Sequence, residues 1–277
     1  MASYLRGVIS DLSRDEIDRS VRGRLGRPVR VLDELDSTNT EAWRWIDAGA
    51  AEGSLVIADQ MTAGRGRWGR TWVTAPGKQL LMSLVLRRPL ALDRAGLLTT
   101  AAGVACAEAV EDVTRLPVTL KWPNDVNVGG RKVAGILVET RTTGDRMDAV
   151  VVGIGVNSSF RAGELPAEIA ESATSIAIEC ELRGQAIPSR LTVLVELLAR
   201  LERACSDISE RPGDLVARAE KRSDVIGRDV TIRFSDGRLI EGQALRLLPS
   251  GALEISSGTS TRSVDGGEIE RLRTHEK

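Results

Sequence analysis

Residues 60–72 read Gln-Met-Thr-Ala-Gly-Arg-Gly-Arg-Trp-Gly-Arg-Thr-Trp, so that three glycines alternate with three arginines. Glycine lets the backbone adopt positive φ angles and approach a ligand closely, whereas the guanidinium group of arginine binds carboxylate or phosphate groups. Because like charges repel and glycine is costly to order, the segment predicts a mobile loop that becomes ordered when an anion neutralises it. A lid over a charged small molecule would behave in this way. We call residues 64–72 the Arg/Gly loop.

Two other interpretations of the Arg/Gly loop start from the same residues. The loop is also typical of a solvated basic surface segment, and of proteins that bind single-stranded nucleic acid. A phosphate-binding P-loop is excluded because the sequence contains no GxxxxGK(S/T) motif. The loop alone therefore leaves a lid and a nucleic-acid-binding segment open.

The composition is that of an ordinary globular chain. The sequence has 277 residues and a formal net charge of −1. This length allows one large domain, or one large and one small domain. A net charge near zero argues against a protein that coats duplex nucleic acid, which would be broadly basic.

The cysteines and the histidine exclude several kinds of site. Cys106, Cys180 and Cys205 are not spaced like metal ligands, and their apolar or helical surroundings are typical of reduced, buried thiols. The single histidine, His275, stands next to the C-terminus, which excludes a histidine-based triad and a multi-histidine metal site. No apolar run is long enough to span a membrane and the N-terminus has no signal-peptide pattern. We therefore expect a cytoplasmic protein.

Apolar periodicity predicts strands and helices in the order of an α+β protein. A capping box at Ser13 and Glu16 begins a short helix over about residues 14–24. Gly-Gly at 129–130 is the tip of a hairpin, and the strands 133–140 and 149–156 are expected to be antiparallel neighbours. The other predicted strands are 29–35, 54–59, 79–86 and 118–123, and the other predicted helices follow Asn39 and cover 97–113 and 188–205.

The pattern changes after residue 223. Short alternating strands are predicted at 229–234, 238–247, 252–256 and 260–264, separated by Gly-containing turns. This spacing predicts a small barrel of about 50 residues.

Two further motifs carry polar residues. Residues 121–125 read Lys-Trp-Pro-Asn-Asp, and the apolar strand after the hairpin places Lys132 at its mouth, where a lysine can reach a carboxylate or phosphate. Asp125 is a candidate ligand for Mg²⁺ or a partner for Lys121. Residues 153–157 read Gly-Ile-Gly-Val-Asn, and two glycines at period two mean that another group approaches one face of the strand closely. Taken singly, each motif also fits a surface lysine, a structural ion pair or a tightly packed strand.

Taken together and in order, the motifs resemble those of the biotin–protein ligases over residues 29–272. The Ser-Thr-Asn of that family stands at residues 37–39, its Gln at residue 60 and its GRGRxGRxW loop at residues 64–72. Its remaining motifs match KWPND at 121–125, GRKxAGIL(V)E at 130–139, GxGxN at 153–157 and the closing Gly-Gly-Glu-Ile at 266–269.

The resemblance implies an α+β fold. The expected catalytic domain is the class II aminoacyl-tRNA-synthetase-like domain of biotin/lipoate ligases, a mixed central sheet with flanking helices, and a small C-terminal SH3-like β-barrel follows it. The chain then divides into a leader at 1–28, the catalytic domain at 29–222 and the barrel at 223–277. Because so short a leader precedes the first strand, we expect the monofunctional form without the DNA-binding domain. Members of the family pair through sheet edges, so the resemblance allows a homodimer.

The resemblance also implies a reaction in two steps. The carboxylate of biotin attacks the α-phosphate of Mg·ATP and gives biotinyl-5′-AMP and pyrophosphate. A lysine of a biotin carboxyl carrier protein domain, part of a biotin-dependent carboxylase, then takes the biotin and releases AMP. The expected substrates are thus biotin and ATP with Mg²⁺, and neither a nucleic acid nor a membrane is an expected partner.

Site residues carry over by resemblance onto the matching positions. The catalytic candidates Lys132, Arg65 and Arg67 would offset the repulsion between the two anions and stabilise the charge that develops between them. Asp125 is the metal candidate, and Arg271 and Arg273 near the closing motif stay unassigned. The biotin-binding candidates are Ser37, Thr38, Asn39, Gln60, Gly64, Arg65, Gly66, Arg67, Lys132 and Gly135, and the ATP-binding candidates are Arg67, Arg70, Trp72, Lys121, Asn124 and Asn157.

Two alternatives remain at this point. A lipoate–protein ligase shares the fold and the chemistry on a carrier lysine, although the GRGRxGR loop favours biotin. A nucleic-acid-binding module that uses the Arg/Gly loop and the tryptophans is opposed by the net charge and by the single short basic cluster.

Overall fold

One mixed sheet of eight strands organises residues 29–157 in the computed structural model, which describes residues 11–87, 90–91, 94–144, 146–258 and 260–273. Only β1 and β2 run parallel, and the path β1-β2-β3-β8-β7-β6-β5 carries β4 beside β8. The predicted mixed sheet is thus confirmed. Its strands are β1 (Val29–Leu35), β2 (Leu55–Met61), β3 (Gln79–Leu86), β4 (Leu90–Ala91), β5 (Val118–Lys121), β6 (Asp125–Val128), β7 (Arg131–Thr143) and β8 (Arg146–Asn157).

Helices cover both faces of this sheet. The apolar helix α3 packs between α5 and one face, and the amphipathic helix α2 packs on the other face over β2, β3 and β8. None of the described helices is long and apolar enough to cross a membrane. The helices are α1 (Arg14–Ser20), α2 (Thr38–Asp47), α3 (Ala95–Thr114), α4 (Ile176–Leu182), α5 (Arg190–Glu210) and α6 (Pro212–Arg222).

The leader packs onto the mixed sheet. Ser13 caps α1 as predicted, but the helix ends at Ser20 because Val21 is extended. Residues 11–28 contribute side chains to the main core, and Arg190, whose side chain is 4% exposed, binds Asp11 and Asp59. The division of the chain at residue 28 stays a prediction. His275 lies outside the described residues.

The predicted C-terminal β-domain is confirmed as a five-stranded antiparallel sheet in the order β12-β11-β10-β9-β13. Its inner face joins the main core, and the indole nitrogen of Trp122 donates to the carbonyl of Gly251 at 3.2 Å. The last strand, which periodicity did not predict, carries the end of the closing motif. The strands are β9 (Asp229–Arg233), β10 (Leu239–Leu247), β11 (Leu253–Ser257), β12 (Ser260–Val264) and β13 (Glu268–Arg273).

Candidate active site

A cavity of about 530 Å³ lies between the Arg/Gly loop, the start of α2 and strands β3, β6, β7 and β8. Cavities of this size commonly hold small-molecule ligands. Of the predicted site residues, Gln60 and Gly64 are not among those that line it. The predicted residues that do line it are Ser37, Thr38, Asn39, Arg65, Gly66, Arg67, Arg70, Trp72, Lys121, Asn124, Asp125, Lys132, Gly135 and Asn157.

The amide of Asn39 is fixed at one end of the cavity. Its Nδ2 donates to the carbonyl of Leu137 at 3.3 Å and to Glu139 at 3.1 Å, and its Oδ1 accepts from Ser83 at 2.6 Å. A Cβ atom on Gly153 would lie 2.2 Å from this Oδ1, so the missing side chain is what admits the amide. Both donor hydrogens of the amide are used inside the protein, which leaves its oxygen to accept one further bond from a ligand.

The hydroxyl groups of Ser37 and Thr38 lie beside this amide. Ser37 occupies the N-cap of α2, and its side chain makes no capping bond. Thr38 Oγ1 lies 3.7 Å from the sulfur of Met61. Both residues line the cavity and both are buried, so this end of the cavity offers two buried hydroxyl groups.

Lys132 and Asp125 form an ion pair in the middle of the cavity. The Nζ–Oδ1 distance is 2.5 Å, so Asp125 pairs with Lys132 rather than with Lys121, its partner in the β5–β6 register. Backbone bonds to Ser172 and Thr174 hold Lys132 at the start of β7. The register between β6 and β7 shifts here, and such bulges re-aim side chains beside active sites.

The backbone of the Arg/Gly loop folds into a small hairpin. The amide of Gly66 donates to the carbonyl of Arg70 at 2.7 Å, and the amide of Trp72 donates to that of Gly64 at 2.9 Å. A short 3₁₀ turn over Arg67–Gly69 forms the tip, where Trp68 has a φ of 55° and is 41% exposed. The loop therefore has a defined closed shape, and its ordering by ligand stays a prediction.

Each arginine of the loop binds a different part of the protein. Arg65 pairs with Glu139 at 3.0 Å on the mixed sheet. Arg67 donates to the carbonyl of Gly267 at 2.8 Å, and burial lowers the pKa of its guanidinium group. Arg70 pairs with Glu268 at 2.6 Å. The loop is thus held on one side by β7 and on the other side by the closing motif of the C-terminal sheet. Arg70 therefore anchors the loop through its ion pair with Glu268.

We expect Glu268→Gln to loosen the loop, because the change removes the charge that holds Arg70 and keeps the shape of the side chain. An exposed ion pair contributes about 0.2–1 kcal/mol, which corresponds to about a 1.4- to fivefold faster tryptic cleavage within the loop. Mass spectrometry of the released peptides measures this rate. Glu254→Gln is the control, since it breaks the comparable Arg246–Glu254 pair in the same sheet and should leave the cleavage unchanged. Equal rates for both variants would show that Arg70 is not held by Glu268.

Trp72 lies flat against the sheet inside the cavity. Cβ atoms on Gly135 and Gly155, which are register partners, would lie 2.8 Å and 2.6 Å from its ring. Its buried indole nitrogen packs against Gly155 and has no hydrogen-bond partner among the described residues. Trp122 of the KWPND motif is 8% exposed and packs in the main core.

The side chain of Asn157 supports the wall of the cavity, because its hydrogen bonds are made within the protein. It is 2% exposed, its Oδ1 accepts from Gln79 at 3.0 Å, and its Nδ2 donates to the carbonyl of Thr174 at 3.0 Å. Gln79 also donates to the carbonyl of Val73, which follows the Arg/Gly loop. A direct contact of Asn157 with ATP stays a prediction. The sequence analysis missed Gln79, whose only signal is a polar residue at the start of an apolar strand.

Asp224 supports the floor of the cavity from the C-terminal side. Its Oδ2 accepts from Asn127 at 3.1 Å, and its amide donates to the carbonyl of Leu120 at 3.0 Å. Burial raises the pKa of its carboxyl group, and the bond from Asn127 opposes this rise. Asn127, which lines the cavity and pairs with Thr119 in the β5–β6 register, is thereby fixed.

The fold and the cavity place the chain in a class of ligases. Residues 31–157, which hold most of the mixed sheet and the loop above it, match the model of the Biotin/lipoate A/B protein ligase family. The chain is 31% identical over 263 residues to the bifunctional ligase/repressor BirA of Bacillus subtilis, covering 94% of this chain and 79% of BirA. It is 32% identical over 267 residues to a biotin–[acetyl-CoA-carboxylase] ligase of Mycobacterium tuberculosis, and the match covers 92% of this chain and 96% of that ligase.

A solved structure agrees with these relatives. The biotin protein ligase from Aquifex aeolicus, in complex with biotin and ATP, is 29% identical, covers 89% of this chain and 99% of its own, and superimposes with a TM-score of 0.74. The chain belongs to the biotin protein ligase family.

Proposed function

We propose that the protein activates biotin with ATP as biotinyl-5′-AMP and transfers the biotin to a lysine of a biotin carboxyl carrier protein domain of a biotin-dependent carboxylase. The observation that carries the proposal is the cavity itself. Its fixed amide and hydroxyl groups suit the polar ureido head of biotin, and its lysine and arginines lie where an acid must meet a phosphate. The Aquifex relative binds biotin and ATP.

In the first step, a carboxylate oxygen of biotin attacks the α-phosphorus of ATP, the bond from that phosphorus to the bridging oxygen breaks, and pyrophosphate leaves. Both reactants are anions, so the step requires cations between them. Lys132, at the start of β7, would contact both groups, and Arg67 would add a second positive charge whose solvation is reduced by burial. Preorganised charges of this kind are commonly the largest contribution to phosphoryl transfer.

In the second step, the amine of the carrier lysine attacks the carbonyl carbon of the mixed anhydride, and AMP leaves. The attacking amine loses a proton, which passes to water or to Asp125. Asp125 lies 2.5 Å from Lys132 and is therefore next to the proposed reacting groups.

Mg²⁺ is part of the proposal through Asp125. Among the described residues, no group of three or more His, Cys, Asp or Glu side chains is placed to hold a metal ion. One carboxylate fits Mg²⁺ nevertheless, since this ion commonly binds to one or two carboxylates together with substrate phosphates. When bound, Mg²⁺ would neutralise charge on the phosphates, and Asp125 and the neighbouring Asn124 are the side chains of this chain that would hold it.

Closure of the Arg/Gly loop would protect the adenylate from water. We expect biotin plus ATP, each at about ten times its Kd, to slow tryptic cleavage between Gly64 and Arg70 by about tenfold. The cleavage is measured by mass spectrometry of the peptides. The control is cleavage at Arg161, which lies in an exposed segment away from the cavity lining and should not respond. Unchanged cleavage of the loop would contradict a ligand-ordered lid.

We further propose that residues 29–222 form the catalytic unit and 223–277 the C-terminal domain, in a cytoplasmic protein that acts on another protein rather than on nucleic acid. Support for the last point comes from the loop, because Arg65 and Arg70 pair with carboxylates of the protein itself. Buried Cys106, whose pKa burial raises to about 12, has the character of a core thiol. A homodimer through sheet edges stays a prediction.

The test is mass spectrometry of a carrier domain after incubation with the protein, Mg·ATP and either biotin or lipoate. We expect the mass of biotin to be added to one lysine and lipoate to be left unused. Addition of lipoate instead would assign the protein to the lipoate ligases, and no addition of either would overturn the proposal. A gel shift with random single-stranded DNA at physiological salt tests the remaining alternative, the nucleic-acid-binding module. We expect no tight binding, and tight binding would favour that alternative.

A further inference from the structure

Glu139 on β7 receives three donors on one oxygen atom. Its Oε2 accepts from Nδ2 of Asn39 at 3.1 Å, from Nε1 of Trp43 at 3.0 Å and from Nη2 of Arg65 at 3.0 Å. The first two donors belong to α2 and the third to the Arg/Gly loop. Glu139 does not line the cavity, so it acts on the site only through these neighbours.

The two donors on α2 hold Glu139 independently of the loop. Asn39 is 3% exposed and fixed by Ser83, and β7 is paired with β8 along its length. The carboxylate therefore keeps its position whether or not Arg65 is bound. A preorganised partner costs less ordering entropy when a mobile group docks on it, so the closed position of the loop is set by the rigid sheet.

The other arginines of the loop are anchored on the opposite side. Arg67 binds Gly267 and Arg70 binds Glu268, both in the C-terminal sheet. Arg67 also donates to Asn124 at 3.4 Å, between β5 and β6. The Arg65–Glu139 pair is the contact that lies next to the amide of Asn39. Without this pair, the loop would stay attached at Asn124 and at the C-terminal sheet and would open beside the biotin end of the cavity.

We propose that Glu139 is a positioning residue that closes the Arg/Gly loop through Arg65 and orients the biotin-binding amide through Asn39. The inference rests on the proposed function for its consequences in catalysis. Glu139 would thus position biotin without contacting it. Its single side chain links the loop to the amide of Asn39 at the biotin end of the cavity.

Glu139→Gln removes the negative charge but keeps the hydrogen bonds from α2, because the amide oxygen of glutamine still accepts from Asn39 and Trp43. We expect the variant to raise the KM for biotin about five- to tenfold while changing kcat less than about twofold, as fits the loss of one partly exposed charged hydrogen bond. Tryptic cleavage after Arg65 in the absence of substrates should quicken. More AMP should also be released per biotin transferred, because the adenylate is less well shielded from water.

Two further measurements separate positioning from folding. The difference in KM between the wild type and Glu139→Gln should shrink as salt increases, since salt screens a partly exposed ion pair. Glu139→Ala, which also removes the acceptor for Asn39, should raise the KM further than Glu139→Gln. The control is Glu41→Gln, because Glu41 lies on α2, pairs with Arg30 at 2.7 Å and has a side chain 19% exposed against 24% for Glu139.

Wild-type values of both the KM and the loop cleavage in Glu139→Gln would overturn the inference. The proposed function would stand in that case, because the wild type still biotinylates the carrier. If the wild type biotinylates no carrier, the proposed function fails, and the tryptic cleavage of the loop without substrates still decides for or against the contact of Glu139 with Arg65.

Discussion

Replacement of Lys132 by alanine is expected to lower the rate of biotinyl-5′-AMP formation by about two to three orders of magnitude. The side chain supplies a positive charge to the cavity lining, and the backbone of Lys132 is fixed by hydrogen bonds with Ser172 and Thr174. Its removal also leaves the carboxylate of Asp125 without the partner that lies 2.5 Å away. A third negative charge would then stand beside two anions that already repel each other.

Pyrophosphate release in a single turnover with saturating biotin and ATP measures this step directly. Lys78→Ala is the matched control, because Lys78 pairs with Glu164 at 2.6 Å outside the cavity lining and should release pyrophosphate at the wild-type rate. Lys132→Arg should fall between the two, since a planar guanidinium group keeps the charge but not its compact position. A wild-type rate for Lys132→Ala, with an unchanged midpoint of thermal unfolding, would exclude Lys132 from the reacting centre.

The sheet was largely predictable from the sequence because its strands are continuous apolar runs with clear ends. β3 was predicted with its observed bounds. The hairpin of β6 and β7 followed from Gly-Gly at 129–130, and the antiparallel pairing of β7 with β8 followed from two long apolar strands. The length of α5 was underestimated because its last turns carry polar residues, although Ala204 and Ile208 are buried there.

The short helix α4 lacked a sequence signal of this kind. Residues 178–182 alternate apolar and polar side chains as a strand would, yet they form part of α4. Ser175 caps the helix through its hydroxyl, and Glu179 binds Thr174, Arg131 and Arg183. Burial alone would raise the pKa of Glu179, but these hydrogen bonds lower it. Tertiary contacts therefore decide the local structure, and local propensity could not reveal them.

The motifs predicted which residues line the cavity, but they did not predict which side chains form ion pairs there. Arg70 and Glu268 are 198 residues apart, and nothing local relates them. The partner of Asp125 was uncertain for a different reason, because a register shift between β6 and β7 decides which lysine reaches it. Glu139 was placed by its motif, but its three donors come from two other elements of the fold.

The two glycines of the GxGxN motif give the second large prediction, because each makes room for a different side chain. A Cβ atom on Gly153 would lie 2.2 Å from the Oδ1 of Asn39, and one on Gly155 would lie 2.6 Å from the ring of Trp72. Neither neighbour can move without loss. Asn39 is held by Ser83 and Leu137, and the indole of Trp72 fills the groove over Gly135. The two alanine variants should therefore damage opposite ends of one cavity.

We expect Gly153→Ala to raise the half-saturating concentration of biotin, and Gly155→Ala that of ATP, each by about ten- to a hundredfold, the range that overpacking of a tight contact produces. Tryptophan fluorescence should shift in Gly155→Ala and not in Gly153→Ala, since only the former displaces an indole ring. Gly213→Ala is the control, because nothing lies within 4 Å of a Cβ atom there. Equal changes of both constants in both variants would show that the motif shapes the sheet as a whole, and that Asn39 and Trp72 do not divide the cavity between the two substrates.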